Sequence, residues 1–187
     1  MSKGLAPTLP EKMTVDEFLV WAADKPGGYE LYAGHVYAMA PERAGHAKVK
    51  FAVQTELKRA IAAARLPCHM LPDGMTVRVA DDTAHEPDAL VYCGAEVPAS
   101  QVEISNPVIV VEVLSPSTRH IDASAKLVGY FQLPSVQHYL IVDPEARPVI
   151  HHQRRSDGTI LTRLLASGPL KLDPPGLVVE IGAFFAK

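Results

Sequence analysis

The residue with the clearest chemical potential is Glu112, which interrupts the apolar run PVIVVEVL over residues 107–114. Consecutive apolar residues predict a central strand that is covered on both faces. A buried carboxylate must be neutralised, paired or bound to a metal, because leaving it unpaired costs several kcal/mol. Two interpretations are open: Glu112 faces solvent at the strand end, beside the Ser115-Pro116 break, or it belongs to a site where a central strand ends.

A second carboxylate, Asp88, stands in the segment HEPDALV, just before the apolar run. Taken alone, this position is equally typical of an aspartate in a turn or cap. Adjacent strands lie about 5 Å apart, so carboxylates from two neighbouring strands can converge on one cation. Because Mg²⁺ prefers oxygen ligands, Asp88 and Glu112 together are a candidate magnesium site.

Three further residues could complete such a site. Lys126 lies in the predicted helix after the Glu112 strand, at the border of its apolar face. From there it either reaches back to the strand ends or extends to solvent. Glu30 lies in a predicted hairpin, and His46 begins a long predicted helix, where the helix dipole favours an anionic partner. Both could equally be ordinary surface residues.

Composition limits the class of protein. The chain has 187 residues, of which 48% are hydrophobic and 21% charged, as expected for one soluble globular domain. A net charge of −3 excludes a strongly basic protein that wraps nucleic acid and a polybasic membrane anchor. No apolar run approaches the ~18 residues of a membrane span, and the N-terminus lacks the apolar core of a secretory signal. We therefore expect a cytoplasmic protein.

Several common sites are not expected. Cys68 and Cys93 lack CxxC spacing, which predicts two buried, separate thiols in a reducing compartment. His151 and His152 alternate along a predicted strand, so we expect one exposed and one partly covered ring and no shared metal. The sequence has no Gly-rich phosphate loop, GxSxG elbow or HExxH motif, which disfavours the hydrolases that use them.

The pattern of elements predicts an α/β fold. Thr14 and Glu17 form a capping box for a first helix, which ends before Lys25. A hairpin is predicted over YELYAGHVYAM. Two further helices are predicted over 45–65 and over DASAKLVGYFQL, the latter capped by Ser117 or Thr118. The predicted strands are 75–79, 88–92, 107–114, 138–143, 148–153 and 159–165. We predict a mixed central sheet flanked by helices, in one domain over 13–187 that follows a leader over 1–12.

The motifs together resemble a known family. The resemblance depends on the segments YELYAGHVYAM, EPDALV, VVEVLSPST and AKLVGYFQLPSVQHYLIVDPE, and on His46 at a helix start. They are similar to the bacterial family named "putative restriction endonucleases", formerly a domain of unknown function, within the PD-(D/E)XK nuclease superfamily. The similarity covers residues 13–183. It implies a restriction-endonuclease-like mixed sheet with a divalent-metal site at its open end.

The resemblance also implies an activity and a set of residues. The activity is hydrolysis of phosphodiester bonds in DNA with Mg²⁺, or with Mn²⁺ as a substitute. The implied catalytic residues are Asp88, Glu112 and Lys126, and the implied metal ligands are Asp88, Glu112 and Glu30. The superfamily lysine stands two residues after the second acid, where this chain has Leu114. Lys126 matches a lysine moved to the next helix, where it would orient or deprotonate the attacking water.

The sequence also suggests accessory residues, binding partners and an alternative function. His46, Lys50 and Gln54, one helical turn apart, are candidates for accessory or substrate-binding residues. The resemblance implies a DNA partner and a homodimer, with the strands from Val149 to Leu165 as its interface. The alternative is a catalytically silent binding or dimerisation module of the same fold. The net charge of −3 favours that alternative, because Lys and Arg favour phosphate binding.

Overall fold

The computed structural model describes residues 12–114 and 123–185. Within them the helices are α1 (Val15–Ala22), α2 (Ala44–Ala64) and α3 (Ala123–Gln132), with a 3₁₀ helix at Ile181–Phe185. The strands are β1 (Tyr29–Tyr32), β2 (His35–Ala38), β3 (Cys68–Pro72), β4 (Val77–Ala80), β5 (Thr83–His85), β6 (Ala89–Cys93), β7 (Ile109–Val113), β8 (His138–Val142), β9 (Val149–Arg154), β10 (Ile160–Leu165), β11 (Pro169–Leu172) and β12 (Leu177–Glu180).

The strands form a mixed α/β domain, as predicted, but in more than one sheet. The central sheet has six strands in the order β10-β9-β8-β7-β6-β3, with β7 and β8 parallel and the other pairs antiparallel. A four-stranded sheet has the order β2-β1-β5-β4, and β11 pairs with β12. The predicted mixed central sheet is confirmed as the six-stranded sheet. The first hairpin lies in the four-stranded sheet because it pairs with β5, a short strand that the sequence pattern did not predict.

The apolar strand β7 lies in the centre of the six-stranded sheet and is covered on both faces, as its sequence predicts. Ile109, Val111 and Val113 pack in the cluster that includes α2. Val110 packs in the opposite cluster, with Tyr130 of α3. The two helices therefore lie on opposite faces of the central sheet and approach β7 from both sides.

The helix ends follow local chemistry where the structure describes them. Thr14 and Glu17 form the predicted capping box of α1. α2 ends at Arg65, whose left-handed φ of 52° stops the helix. The predicted caps of α3, Ser117 and Thr118, and residues 1–11 of the predicted leader lie outside the described residues. Among the described residues, no helix combines the length and hydropathy needed to cross a membrane.

Cys68 and Cys93 form a disulfide, which corrects the prediction of two separate thiols. They lie directly opposite each other on the antiparallel strands β3 and β6. Strand β3 was not predicted, and the pairing register that brings the two residues together is a long-range property of the sheet. Their spacing along the chain carries no sign of it.

Two buried histidines form a hydrogen-bonded pair between β8 and β9. His138 Nε2 lies 2.9 Å from the carbonyl oxygen of Pro174, and His138 Nδ1 lies 2.9 Å from His151 Nε2. A carbonyl only accepts, so His138 donates to Pro174 and His151 donates to His138. The expected exposure of one ring of the His151-His152 pair is wrong, because both side chains are buried.

We expect the His138–His151 pair to make the fold sensitive to acid. Burial lowers the pKa of His138 to about 4 and that of His151 to about 3. The positive charge of Arg163 also lowers both pKa values, whereas the negative charge of Asp173 acts to raise the pKa of His138. As the pH falls, the histidines of the unfolded chain therefore become protonated at a higher pH than those of the folded chain. Stability is complete above about pH 6.5 and declines as pH falls toward 4. His138 alone accounts for a loss of about 3 kcal/mol.

Urea denaturation at neutral pH and near pH 4.5 measures this effect. His151→Gln keeps a donor for His138 and removes one titrating ring, so its stability should fall less on acidification. His35→Gln, at an exposed histidine, serves as the control. Parallel losses in the wild type and His151→Gln would contradict the prediction.

Candidate metal centre

The sheet register brings the two predicted acids together. Ala89 of β6 pairs with Val111 of β7, so the next antiparallel position sets Asp88 opposite Glu112. Asp88 is 6% exposed, and its Oδ2 accepts a hydrogen bond of 2.7 Å from the backbone N–H of Val113. The end of β7 therefore places both carboxylates at one edge of the central sheet.

Lys126 points inward from α3 and bridges two acids. Its Nζ lies 2.8 Å from Glu30 Oε1 and 2.9 Å from Glu112 Oε1. The hydroxyl of Tyr130 donates to the same Glu112 oxygen at 2.7 Å. Lys126 is 8% exposed, so of the two interpretations the inward one is correct. Glu112 is likewise paired rather than solvated.

Glu30 reaches this network from the four-stranded sheet. Leu31 pairs with Ala84, which aligns β1 with the segment that leads into Asp88. The Glu30 side chain accepts a hydrogen bond of 3.0 Å from the backbone N–H of Glu86. The small sheet thus supplies an acid to a site on the central sheet.

His46 and Glu42 approach the site from the start of α2. His46 Nε2 lies 2.7 Å from the carbonyl oxygen of Val113 and 3.8 Å from Asp88 Oδ2. His46 Nδ1 lies 2.7 Å from Glu42 Oε1. Each ring nitrogen therefore faces an oxygen acceptor. His46 therefore lies beside Asp88.

Lys50 and Gln54 lie along the same face of α2 and hold Asp88 in place. Gln54 Nε2 donates to the backbone oxygen of Asp88 at 2.8 Å. Lys50 Nζ forms ion pairs with Glu42 and with Asp73, the latter at 3.0 Å, and lies 3.8 Å from Asp88 Oδ1. Lys50 and Gln54 therefore lie beside Asp88.

Sequence reasoning missed several members of the site. Tyr130 is four residues after Lys126 in α3, and this helical spacing, which places both side chains on one face, could have indicated it. Glu42 precedes α2, so no helical spacing indicated it. His85 was missed as well. It is 2% exposed, with its Nδ1 3.8 Å from Glu30 Oε1, and burial lowers its pKa to about 4.

The site has more negative than positive charge. Burial raises the pKa of Asp88 to about 7, and the charge of Glu112 adds to this. Burial, with Glu30 nearby, raises the pKa of Glu86 to about 7. Burial acts to lower the pKa of Lys126, but the charges of Glu112 and Glu30 outweigh it and raise that pKa. One buried ammonium therefore does not balance the carboxylates around it.

The donor atoms fit a divalent cation. Among the described residues, Glu42, His46 and Asp88 each offer a ligand atom, and these atoms lie within 4.8 Å of one another. Two carboxylates and one imidazole suit Mn²⁺, and the carboxylates suit Mg²⁺. Glu112 and Glu30 of the expected ligand set lie on the other side of the site, where Lys126 binds them.

Known proteins share this fold. A crystal structure from Anabaena variabilis ATCC 29413, described as "a putative nuclease belonging to DUF820", matches with a TM-score of 0.70 at 16% sequence identity. The match covers 92% of this chain and 97% of that one. At this identity, the likeness establishes a shared fold, the restriction-endonuclease-like α/β fold that the sequence motifs predict.

Sequence comparison supports the same grouping. "Uncharacterized protein slr1290" of Synechocystis sp. is 25% identical over 183 residues, 96% of this chain and 95% of its own length. "Uncharacterized protein sll1609" of the same organism is 27% identical over 159 residues, 82% of this chain and 88% of its own length. The sequence model of Uma2, described as "Putative restriction endonuclease", matches residues 15–181. The chain therefore belongs to the Uma2 family.

Proposed function

We propose that this protein is a metal-dependent nuclease that hydrolyses phosphodiester bonds in DNA. The observation that carries the proposal is the pair of carboxylates at the ends of two neighbouring strands, Asp88 and Glu112, with Lys126 bonded to the second. Membership of a family described as "Putative restriction endonuclease" agrees with a hydrolase that acts on nucleic acid. The DNA substrate and the dependence on Mg²⁺ or Mn²⁺ are our inference.

Two overlapping ligand sets are available for the cation. The family resemblance favours Asp88, Glu112 and Glu30, and the distances add Glu42 and His46 as partners of Asp88. Asp88 is common to both sets. A divalent cation bound there would polarise the scissile phosphate and lower the pKa of a bound water.

In this proposal the protein's own side chains stabilise the charge on the phosphate and orient the attacking water. Lys126 keeps its proton, so it can donate to the negative charge that develops on phosphate oxygens, but it cannot accept a proton from water. Of the two roles that the family resemblance implies for Lys126, we retain orientation and charge stabilisation. Glu30 and Tyr130 hold the network that positions Lys126.

The residues of α2 act on Asp88 in this proposal. Gln54 fixes the Asp88 backbone, and His46 bonds the carbonyl of Val113, whose N–H binds the Asp88 carboxylate. Lys50 supplies positive charge near Asp88. Contact of Lys50 and Gln54 with nucleic acid stays a prediction.

A binding module of the same fold is the second candidate. The observation that favours it is that Lys126 forms ion pairs with both Glu30 and Glu112 within the chain itself. Such a site can remain folded without a cation and without catalysis. Cleavage and metal binding separate the two candidates.

Three further predictions accompany the proposal. We place the nuclease domain at residues 13–187 after a leader over 1–12, and we expect a cytoplasmic protein. We also expect a homodimer formed through the strands from Val149 to Leu165. The support for this interface is that β10 is an edge strand of the central sheet and that Leu164 on it is 73% exposed.

The purified chain should nick or cut DNA when Mg²⁺ or Mn²⁺ is supplied, and EDTA should stop the reaction. Gel analysis of plasmid and end-labelled DNA measures cleavage, with RNA as a parallel substrate. Calorimetry with each ion measures metal binding. Absence of cleavage of either nucleic acid, together with absence of metal binding, would favour the binding module.

A further inference from the structure

The hairpin of β1 and β2 has two different faces. Tyr29, Leu31 and Val36 pack against α1 in one hydrophobic cluster. Side chains alternate along a strand, so the intervening residues occupy the opposite face. These residues are Glu30, Tyr32, His35 and Tyr37. We call this the open face of the hairpin.

The open face is continuous with the candidate metal centre. Tyr37 is the direct cross-strand partner of Glu30, whose carboxylate binds Lys126. Directly opposed side chains have Cβ atoms about 5 Å apart. Tyr32 and His35 form the next pair on this face, away from Lys126. Aromatic side chains thus begin beside the acidic network and extend from it.

The aromatic side chains of the open face are available for contact. Within the described residues, α3 covers the same sheet over β4 and β5, where Gly129 lies close to Val79 and His85. At the hairpin, by contrast, Tyr37 is 48% exposed, Tyr32 is 44% exposed and His35 is exposed. The acid of this face is buried, whereas its aromatic neighbours are not.

We propose that the open face binds unpaired nucleobases by stacking on Tyr37 and Tyr32, so that the substrate strand at the metal centre is single-stranded. This inference rests on the proposed nuclease function and names its substrate class. Every base has a flat π-face, and stacking on an aromatic side chain stabilises by about 1–3 kcal/mol per base. In a duplex these π-faces are stacked on neighbouring base pairs, so the tyrosine side chains cannot reach them.

The charge of the chain favours bases over the phosphate backbone as the source of affinity. Duplex binding by phosphate contacts needs many Lys and Arg residues, and this chain has a net charge of −3. Exposed cations at the start of α2 are Arg43 and Lys48. A surface with few cations and two half-exposed tyrosines beside the acids suits a strand held by its bases.

Binding without cleavage tests the inference. The probes are fluorescent oligothymidine, the same oligonucleotide with abasic sites, and a duplex of equal length, measured by anisotropy in EDTA. We expect oligothymidine to bind at least about 10-fold more tightly than either other probe, with Tyr37→Ala and Tyr32→Ala each reducing that affinity by about 10-fold. Tyr37→Phe keeps the ring and should bind like the wild type.

The controls separate this inference from the nuclease itself. Val178→Ala, at an exposed apolar residue of β12, should leave binding unchanged. Tyrosine-dependent binding in a chain that never cleaves would support the stacking surface and count against the nuclease. Equal affinity for duplex, abasic and oligothymidine probes, or wild-type binding by Tyr37→Ala, would overturn the inference. Conversion of a dimer to a monomer by Tyr37→Ala would assign the open face to a second copy instead.

Discussion

Asp88→Asn should abolish cleavage while leaving the fold intact. Asp88 belongs to both candidate ligand sets, so its loss should exceed the roughly 100-fold effect at the upper end for outer-sphere partners of a metal site. The amide keeps an oxygen that can accept the hydrogen bond from the Val113 N–H. It also removes a buried negative charge that lies opposite Glu112. We therefore expect stability equal to or above that of the wild type.

Initial cleavage rates with saturating Mn²⁺ measure the loss, and urea denaturation measures stability. Asp24→Asn removes an exposed aspartate after α1 and is the matched control, with wild-type behaviour expected in both measurements. Wild-type cleavage by Asp88→Asn would remove the proposed metal centre from the mechanism. Glu112→Gln should reproduce the loss of cleavage.

Lys126→Met should destabilise the protein strongly. The substitution keeps the length of the side chain but removes the cation that binds Glu30 and Glu112 in a buried setting. Removing one partner of a buried ion pair leaves an uncompensated charge and costs about 3–5 kcal/mol. Urea denaturation at neutral pH in EDTA measures the loss.

Two comparisons isolate the buried charge as the cause. Glu30→Gln in the Lys126→Met background removes one of the stranded carboxylates and should restore part of the stability. Lys171→Met breaks an exposed pair with Asp173 and should cost less than about 1 kcal/mol. Equal effects of Lys126→Met and Lys171→Met would show that the Lys126 network contributes nothing beyond a surface ion pair.

The local elements and the main acids of the site were predictable because their signals lie within short segments. The capping box of α1, the hairpin and the apolar strand around Glu112 each depend on neighbouring residues. Burying a carboxylate within an apolar run costs free energy unless the carboxylate has a partner, so the sequence alone indicated Glu112 as a candidate site residue. Asp88 followed from the expectation that neighbouring strands bring their ends together.

The remaining features depend on which distant segments pair, and short-range patterns do not encode register. Antiparallel pairing of β3 with β6 makes a disulfide of two cysteines that lack any motif. Pairing of β1 with β5 creates a separate sheet and places Glu30 beside Lys126 at the candidate metal centre.

The sequence by itself determined the helices, the first hairpin, strands β6 to β10 and the α/β class, because propensity, capping and burial cost act locally. It also indicated Asp88 and Glu112 as candidate acids. Only the tertiary structure decided that Lys126 points inward, since the helix border permits either direction until the sheet beneath supplies two carboxylates. It also decided that Glu42, Tyr130 and His85 join the site. Their positions depend on how α2, α3 and β5 dock around the end of β7, and that packing is a property of the whole chain.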